Sequence, residues 1–447
     1  MHRLLALVGL LGLAGGCTAP IGADGAGAGD RGGKDDAPAS PEGLGGLGGR
    51  AIADTRLEVD LTTLQATAHV AFEAGTASTA RLELSHTLGG AVTATTGTAQ
   101  IVGDALLLDG LPQDAAQVSV RYQIPIGGAY QVTNRDDVYD AGTYMWPTQC
   151  SALFPCHAQP ADGTTFSLSL TGIPDGMTAI YPSTLPEVPS YQLAWAVGPY
   201  RYVSYGKTAA GTEVGFYVIH QDVTSEYEQS IGEALRRGFD FVEKTYGPYR
   251  FGTRVASVEV DTLPTFAGGQ EHHPYWHIAS SDFGVTETHI HEAVHGWFGD
   301  GVRIACWEDL LLSEGVTTYV TMRTRVAIGD IEEREAWGTL AYQSNSPLHG
   351  GVAAWPPGCT GTSSTFAPDG DPHDEVYSRG AQFLREVARQ IGVDVLDGAL
   401  ADFYRDHGGK AARVDDLLAG IHASTGFDPT ALAETWLRAV STPVAQP

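Results

Sequence analysis

Charged residues are scarce in this 447-residue sequence, and basic ones are scarcest. They make up 18% of the chain, against about 25% in typical soluble domains. Lys and Arg number 26 against 53 Asp and Glu, which gives a net charge of −27. Such an excess of negative charge repels phosphate backbones and anionic lipids, so it argues against a nucleic-acid-binding protein or an electrostatically membrane-bound one. The low charge, together with 56 glycines, favours turn-rich β-structure over a coiled coil.

Long apolar runs are also lacking, and the one at the start of the chain is short. After His2 and Arg3, residues 4–14 form an apolar run that is followed by Gly-Gly-Cys. This arrangement is typical of a secretion signal, and the run is too short to span a bilayer. Residues 1–17 resemble a bacterial lipoprotein signal peptide, in which Cys17 would be lipidated; ordinary signal cleavage is the alternative. Either form predicts export, to the periplasm or to the surface of a bacterium.

Cysteine is rare, with five in the chain. Cys17 belongs to the predicted signal, and the even number that remains permits two disulfides in an oxidising compartment. We favour a bond between the two that are close in sequence, with the other two paired by elimination, while four buried free thiols are the alternative. The four candidates are Cys150, Cys156, Cys306 and Cys359.

Residues 18–50 contain eleven glycines and three prolines but few large apolar side chains. Such a segment cannot bury enough apolar surface to offset its chain entropy, so it is predicted to be a flexible tether. From residue 51 to about 221, apolar residues alternate with polar ones, as at Val118, Val120 and Tyr122, between runs rich in Gly, Pro, Asn and Asp. Residues 51–221 are therefore predicted to form an antiparallel all-β domain.

The pattern becomes helical at residue 222. Ser225 and Glu228 fit a capping box, and a helix is predicted from there to Tyr246, just before Gly-Pro. After one strand-like stretch at 255–260, the remainder of this second domain, 222–447, is largely helical. The predicted fold class is thus α+β, with an all-β domain followed by a mostly α-helical one. The further helices are predicted over 286–299, 307–327, 331–344, 377–391, 393–406, 414–425 and 428–440.

The helical half contains a metal-binding pattern. His291 and His295 are the histidines of an HExxH pentapeptide, and residues four apart on a helix lie on one face, so both imidazoles can bind one cation. Glu292 comes directly after the first histidine, where its carboxylate can contact a water. Glu314 follows His295 after eighteen residues and can supply a third ligand. Zinc hydrolases use three protein ligands and leave the fourth position to water, so the spacing predicts a catalytic site with one Zn²⁺.

These motifs resemble the zinc aminopeptidases (gluzincins) of the family that includes aminopeptidase N and the leukotriene hydrolase/aminopeptidase. That family has a sequence like HELAHQWFGN…WWxDLWLNEGFA, and residues 291–319 are HEAVHGWFGDGVRIACWEDLLLSEGVTTY. Residues 268–272, GGQEH, stand where the family's GxMEN motif belongs, and residues 376–381, VYSRGA, are similar to its YxKGA motif. Residues 153–160, LFPCHAQP, are similar to its FPCFDEP stretch. The resemblance covers roughly residues 51–441, and it implies a saddle-like N-terminal β-domain followed by a thermolysin-like catalytic domain.

The resemblance also implies roles for individual side chains. Glu292 would be the general base, and Tyr377 would stabilise the oxyanion. Glu271 would bind the α-ammonium group of the substrate, although a surface carboxylate in a loop is the alternative. Gly268 and Gly269 would contact the substrate backbone.

Three departures from the family pattern matter for function. Gln270 and His272 replace a Met and an Asn, so the floor of the substrate side-chain pocket is expected to be more polar. Arg379 replaces a Lys and keeps its charge. Family members usually have one or two further C-terminal domains, which this sequence does not include. We therefore expect a more open cleft, or one that another subunit closes.

Several side chains remain open alternatives. His289 is a weaker ligand candidate, because two positions before His291 it points about 200° around the helix. Asp309 could support a zinc-bound histidine through a hydrogen bond or cap a helix that begins near Trp307. Asp300 has no assigned role, and Gln149 is a further candidate for binding the amine.

The sequence therefore predicts an exported zinc aminopeptidase that acts on peptides with a free N-terminus, attached to the membrane only through its N-terminal lipid. An endopeptidase of the same fold with an open cleft is one alternative. A non-catalytic peptide-binding lipoprotein is another, although binding alone would require neither Glu292 nor Tyr377.

Overall fold

The computed structural model describes most of the chain from residue 50 to residue 440. The predicted signal with its Cys17, and all of the predicted tether except its last residue, lie outside this part. The described residues are 50–88, 91–94, 97–135, 138–145, 148–220, 225–263, 268–344, 352–359 and 374–440.

The first half of the described chain is built from strands. In the first of them, Leu57 and Val59 are buried and alternate with exposed residues, as the period of two in the sequence requires. The elements of this half are Ile52–Asp60 (β1), Gln65–Phe72 (β2), Thr79–Glu83 (β3), Ala91–Ala94 (β4), Thr98–Val102 (β5), Ala105–Asp109 (β6), Ala116–Gln123 (β7), Tyr130–Arg135 (β8), Val138–Thr143 (β9), Gly163–Thr171 (β10), Thr178–Ile180 (β11), Thr184–Pro189 (β12) and Ala196–Gly198 (β13), with 3-10 helices at Cys150–Ala152 and Ser190–Gln192.

These strands form three sheets in the orders β12-β10-β1-β2-β7-β4, β3-β6-β5 and β11-β13-β9-β8. All the strand pairs within them are antiparallel except β1 with β10, which run parallel. Their inward side chains share one apolar core, which includes Phe154 and Trp195.

The second half combines a five-stranded sheet and a small three-stranded sheet with packed helices. Its elements are Arg201–Lys207 (β14), Glu213–Val218 (β15), Glu226–Tyr246 (α1), Arg254–Val260 (β16), Gly269–Gln270 (β17), Tyr275–Ala279 (β18), Thr286–Val294 (α2), Phe298–Gly299 (β19), Val302–Ile304 (β20), Glu314–Ala327 (α3), Glu333–Ser344 (α4), Asp374–Ile391 (α5), Val393–His407 (α6), Ala411–Ala412 (β21), Val414–Thr425 (α7) and Thr430–Ala433 (α8), with a 3-10 helix at Trp307–Leu312 and a π-helical turn at Glu434–Arg438.

The five-stranded sheet of the second half has the order β14-β15-β16-β18-β17 and carries the site at its β17 edge. One of its faces packs against α1 and α2 in a large apolar core that includes Phe239 and Trp297. Strands β14 and β15 precede residue 222 and yet belong to this sheet, because they pair with each other and β15 pairs with β16. The domain boundary at 221/222 stays a prediction, and this sheet lies on both sides of it.

Within the described residues, each predicted helix overlaps an α-helix, and two of them differ at functional points. The N-cap predicted at the start of α1 is confirmed, because the Ser225 side chain accepts a hydrogen bond from the Glu228 N–H. The helix predicted over 286–299 ends at Val294, since Phe298 and Gly299 form β19. The helix predicted over 307–327 is two elements, a 3-10 helix and α3, which meet at Ser313.

The predicted two-part fold class is confirmed: sheets dominate the first half and helices the second. In the described part of the chain, no helix combines the length and the apolar composition needed to cross a bilayer.

Candidate active site

The two histidines and the glutamate predicted to bind a metal lie together. His291 is in the last turn of α2, His295 is the residue that ends this helix, and Glu314 begins α3. The two Nε2 atoms are 3.2 Å apart, and each lies 3.3 Å from Oε2 of Glu314. Helices α2 and α3 pack against each other, which brings the carboxylate to the histidine pair across eighteen residues of chain.

This triangle of donor atoms fits a tetrahedral metal ion. With bonds of about 2.0–2.1 Å, the ligand atoms of a tetrahedral zinc site lie about 3.3–3.4 Å apart. The three observed separations of 3.2–3.3 Å match that edge length. Three ligands also leave a fourth position open, as catalytic sites require.

The orientation of the His295 ring suits a metal ligand. Its Nδ1 lies 3.1 Å from the carbonyl oxygen of Phe298, which can only accept, so Nδ1 donates to it and Nε2 is the nitrogen that faces His291 and Glu314. The hydroxyls of Ser313 and Thr317 surround the same nitrogen at 3.3 and 3.5 Å. Gly299 has φ +109°, and a Cβ there would lie 2.4 Å from the Ser313 hydroxyl.

Glu292 lies beside the metal ligands and is 6% exposed. Burial raises the pKa of its carboxyl well above the usual range, and the charges of Glu271 and Glu314 add to this effect. The carboxyl packs directly on Gly269 of β17, where a Cβ would lie 2.6–2.8 Å from Glu292 side-chain atoms. The glycine predicted to contact substrate therefore also makes room for the predicted base.

Glu314 stays ionised despite its burial. Desolvation alone would raise its pKa, but the imidazoles of His295 and His291 outweigh that effect and lower the pKa to about 2. A carboxylate that is charged at neutral pH is the form that binds a metal.

The predicted oxyanion donor also lies at the site. The Tyr377 ring, near the start of α5, stacks against the His291 ring with 6.0 Å between centroids. Burial and the carboxylates of Glu314, Glu271 and Glu292 raise the pKa of its phenol, so the hydroxyl keeps its proton at neutral pH and can donate.

The segment after β17 is buried, so the alternative of a surface loop is wrong. Glu271 is 8% exposed, and its pKa is raised by burial. Gln270 and His272 are buried as well, and Nε2 of His272 lies 3.0 Å from Oε1 of Gln270. His273 is fully buried, and Nδ1 of its ring forms a hydrogen bond with the Tyr249 hydroxyl, 2.7 Å away.

His289 does not lie with the metal ligands. It is completely buried, with Nδ1 2.7 Å from the Ser257 hydroxyl and Nε2 2.8 Å from the carbonyl of Phe283. Both ring nitrogens are therefore used in the core, as its angle around the helix predicts.

Asp309 has neither of its two expected roles, which were to support a metal-binding histidine or to cap the helix near Trp307. Its carboxylate accepts hydrogen bonds from Trp355 Nε1 and Arg413 Nε, each at 3.0 Å, and from the Val414 N–H at 3.4 Å. Val414 begins α7, so Asp309 caps that helix. It neither orients a ligand histidine nor caps the 3-10 helix at Trp307, whose N-cap residue, Cys306, makes no side-chain capping bond.

The remaining candidates are placed as follows. Gln149 is exposed at the start of the 3-10 helix Cys150–Ala152. Asp300 is buried and accepts a 2.9 Å hydrogen bond from the Tyr191 hydroxyl. The structure contains the two favoured disulfides, Cys150–Cys156 and Cys306–Cys359.

Sequence reasoning missed three contacts that shape this site: Phe298 with His295, Tyr191 with Asp300, and Gln192 with the backbone of His273. The first contact is made by a backbone carbonyl, which carries no signature in the sequence. The other two join residues that are about a hundred and about eighty positions apart, so no local pattern could have revealed them.

With the geometry established, comparison with known proteins gives the family. The Peptidase family M1 domain matches residues 274–436. Over these residues the chain resembles peptidase family M1. Among its relatives, aminopeptidase N of Streptomyces lividans is 26% identical over 330 residues, covering 66% of this chain and 37% of that protein. Aminopeptidase 2 of Candida albicans is 22% identical over 363 residues, covering 72% and 38%.

The chain thus spans less than half the length of these two relatives. A solved M1 zinc metallopeptidase from Deinococcus radiodurans, a mutant bound to a Tyr-Ser-Ala substrate, matches with a TM-score of 0.71 at 18% identity. The match covers 90% of this chain and 98% of that one. This chain and that protein therefore share a fold over nearly all of their lengths.

Proposed function

We propose that this chain is a zinc-dependent aminopeptidase that hydrolyses N-terminal residues from peptides. One observation carries the proposal: the Nε2–Nε2–Oε2 triangle of His291, His295 and Glu314 has the edge lengths of a zinc site. The charges of Glu271 and Glu314 contribute to the raised pKa of Glu292, and all three carboxylates contribute to the raised pKa of Tyr377, which supports a role for these residues at the same site.

One zinc ion is proposed because two imidazoles, one carboxylate and an open position make the ligand set of catalytic zinc. The related proteins support this choice, since a solved M1 relative is named a zinc metallopeptidase. When bound, the ion would polarise the scissile carbonyl and acidify a water.

Glu292 would move the proton. Its carboxylate would accept a proton from the attacking water and then deliver it to the leaving amine.

Tyr377 would donate its hydroxyl to the oxyanion that develops on the scissile carbonyl. Donors of this kind are typically worth about 3–4 kcal/mol of transition-state stabilisation. The stacking of its ring on His291 supports this role, because it would keep the phenol near a carbonyl bound at the metal.

Glu271 would anchor the substrate by pairing with its α-ammonium group. That pairing would place the first peptide bond over the three ligands and so select an exopeptidase cut. Gly268, with φ +65°, and Gly269 would contact the backbone of the bound peptide.

A panel of aminoacyl anilides, each with an N-acetylated twin, tests this function with and without a chelator. We expect hydrolysis of the free-amine members alone, and loss of that activity on chelation. Internal cleavage of acetylated peptides would instead support the open-cleft endopeptidase. Tight peptide binding without any turnover would support the binding lipoprotein.

We also propose that the enzyme is exported and tethered by a lipid at Cys17, through the Gly-rich residues 18–50. The basis is the sequence of residues 1–17, together with the two disulfides of the structure, which suit an oxidising compartment. Metabolic labelling with a fatty acid in cells, with Cys17→Ser as the control, tests this proposal. An unlabelled wild-type protein would contradict it.

A further inference from the structure

Two neighbouring side chains from the first half of the chain reach the active-site segment. They are Tyr191 and Gln192, in the 3-10 helix Ser190–Gln192 that follows β12. Both are buried, and Tyr191 packs in the core of the second half. A 3-10 helix whose consecutive side chains are both buried in another layer is a point of attachment between the two halves.

Gln192 holds the backbone just after the proposed amine-binding residue. Its Oε1 accepts a 2.9 Å hydrogen bond from the N–H of His273, two positions after Glu271. This bond satisfies a buried N–H that lies beyond the end of β17.

Tyr191 connects the first half of the chain to a predicted metal ligand. Its hydroxyl donates to Oδ1 of Asp300 at 2.9 Å, and it also opposes the rise that burial causes in the pKa of Glu271. The N–H of Asp300 in turn donates to the carbonyl of His295 at 3.1 Å. A chain of hydrogen bonds therefore runs from His295 through Asp300 to Tyr191.

The segment needs such support because β17 has only two residues and lies at the edge of its sheet. Glu271 comes directly after those two residues, so no strand pairing fixes it. Small displacements of a positioning group carry large costs, since a shift of about 1 Å can lower a rate about a hundredfold.

We propose that Tyr191 and Gln192 are positioning residues that set the distance from Glu271 to the metal ligands. The first half of the chain thereby controls recognition of the free α-amine. This inference rests on the proposed aminopeptidase function. It implies that the 3-10 helix Ser190–Gln192, which is far from the proposed metal ligands in sequence, helps to determine which peptide bond is cleaved.

Matched inhibitors separate amine recognition from metal binding. An amino acid hydroxamate and its desamino analogue both bind a metal through the hydroxamate, but only the first carries an α-ammonium group. The ratio of their inhibition constants, measured on the full-length zinc enzyme, therefore reports the contact with Glu271. A general loss of folding or of metal would weaken both inhibitors together and leave the ratio unchanged.

We expect the wild-type enzyme to favour the amino member, and Tyr191→Phe to reduce that preference about tenfold or more, as expected for a lost hydrogen bond to a charged group. Gln192→Leu should act in the same direction. The control is Tyr246→Phe, which removes a hydroxyl from another buried Tyr–Asp pair, 2.7 Å from Asp397. This variant should keep the wild-type ratio.

An unchanged ratio in both Tyr191→Phe and Gln192→Leu would overturn the positioning role while leaving the aminopeptidase proposal intact. Equal weakening of both inhibitors would overturn it as well, because that result describes a structural role. A wild-type enzyme that does not distinguish the two inhibitors would contradict the aminopeptidase proposal and this inference with it.

Discussion

At the scale of single residues, the proposed chemistry depends most on Glu292. Glu292→Gln preserves the size of the side chain but cannot accept a proton. We predict that zinc content is retained and that kcat falls about 10²–10⁴-fold, the usual contribution of a general base. Elemental analysis and steady-state kinetics on the same preparation measure both.

Glu287→Gln is a matched control for that variant. Glu287 lies in the first turn of the same helix and pairs with Arg325, away from the ligands. Its replacement should leave kcat near the wild-type value. Substantial turnover by Glu292→Gln would remove that residue from the mechanism.

Gly269 supplies a second residue-scale prediction. A Cβ at this position would lie 2.6–2.8 Å from Glu292 atoms, so Gly269→Ala should displace the base and lower kcat about tenfold or more, in line with the cost of misplacing a catalytic group. Gly329→Ala is the control. Gly329 has φ +70° but nothing lies within 4 Å of a Cβ at that position, so strain in the backbone is its main cost.

The two glycine variants are compared by thermal unfolding and by kcat. Loss of stability in both, with loss of kcat only in Gly269→Ala, agrees with the structure. Equal kcat in the two would show that Glu292 does not need the space at residue 269.

The ligand set could be predicted from sequence because a helix converts spacing into geometry. His291 and His295 are one turn apart, and that relation needs no tertiary information. The partner of His295 Nδ1 could not be predicted, because it is the carbonyl of Phe298, and any residue type offers the same carbonyl. The expected roles of Asp309 failed because a carboxylate near a motif has many partners in three dimensions.

At the scale of secondary-structure elements, Asp309 joins the 3-10 helix Trp307–Leu312 to α7. Asp309→Ala would leave the N–H groups of Trp355, Arg413 and Val414 without their acceptor. We predict a loss of about 2–3 kcal/mol in the free energy of unfolding, below the full cost of breaking a buried ion pair because Arg413 is partly exposed.

Urea unfolding and competition with a chelator distinguish this role from support of the metal. The structure predicts a lower midpoint of unfolding with unchanged zinc affinity in the folded variant. A large drop in zinc affinity with normal stability would restore the interpretation that Asp309 supports a ligand histidine.

Helix positions followed from apolar periodicity, but helix ends at the site did not. Residues 307–327 have a continuous helical pattern, yet the chain turns at Ser313, with φ −79° and ψ −71°, before α3 begins. That turn directs Glu314 towards the histidines, and it is imposed by packing against α2, which a periodic pattern does not record.

At the scale of the whole molecule, Asp140 links the two halves. It lies in β9, accepts a 3.2 Å hydrogen bond from the Tyr200 hydroxyl, and accepts a 2.7 Å bond from the N–H of Asp261, just after β16. Burial, together with the nearby charge of Asp261, raises the pKa of its carboxyl to about 6.

Because this pKa is higher in the folded state than in the unfolded state, the contribution of Asp140 to stability is full at low pH and is lost as pH rises through about 6. Asp140→Asn does not titrate. We predict that its free energy of unfolding relative to wild type increases by up to about 3 kcal/mol between pH 4 and pH 7. This is the free-energy equivalent of raising the pKa of Asp140 from 3.8 to about 6. Urea titrations at several pH values measure the difference, and parallel pH profiles for the two proteins would contradict the raised pKa.

The order of the two halves could be predicted because periods of 2 and 3.6 are visible in the sequence. It could not be predicted that strands from both sides of residue 222 share one sheet, because β14 and β15 have the same alternation as the strands before them. Long-range packing decides which strands they join: β14 pairs with β15, and β15 pairs with β16.

Elemental analysis of the purified full-length protein measures whether His291, His295 and Glu314 hold a zinc ion. We predict one zinc per chain in the wild type and much less in Glu314→Ala, which lacks one of the three proposed ligands. A wild-type protein without stoichiometric zinc, or a Glu314→Ala variant that retains zinc as tightly as the wild type, would contradict it.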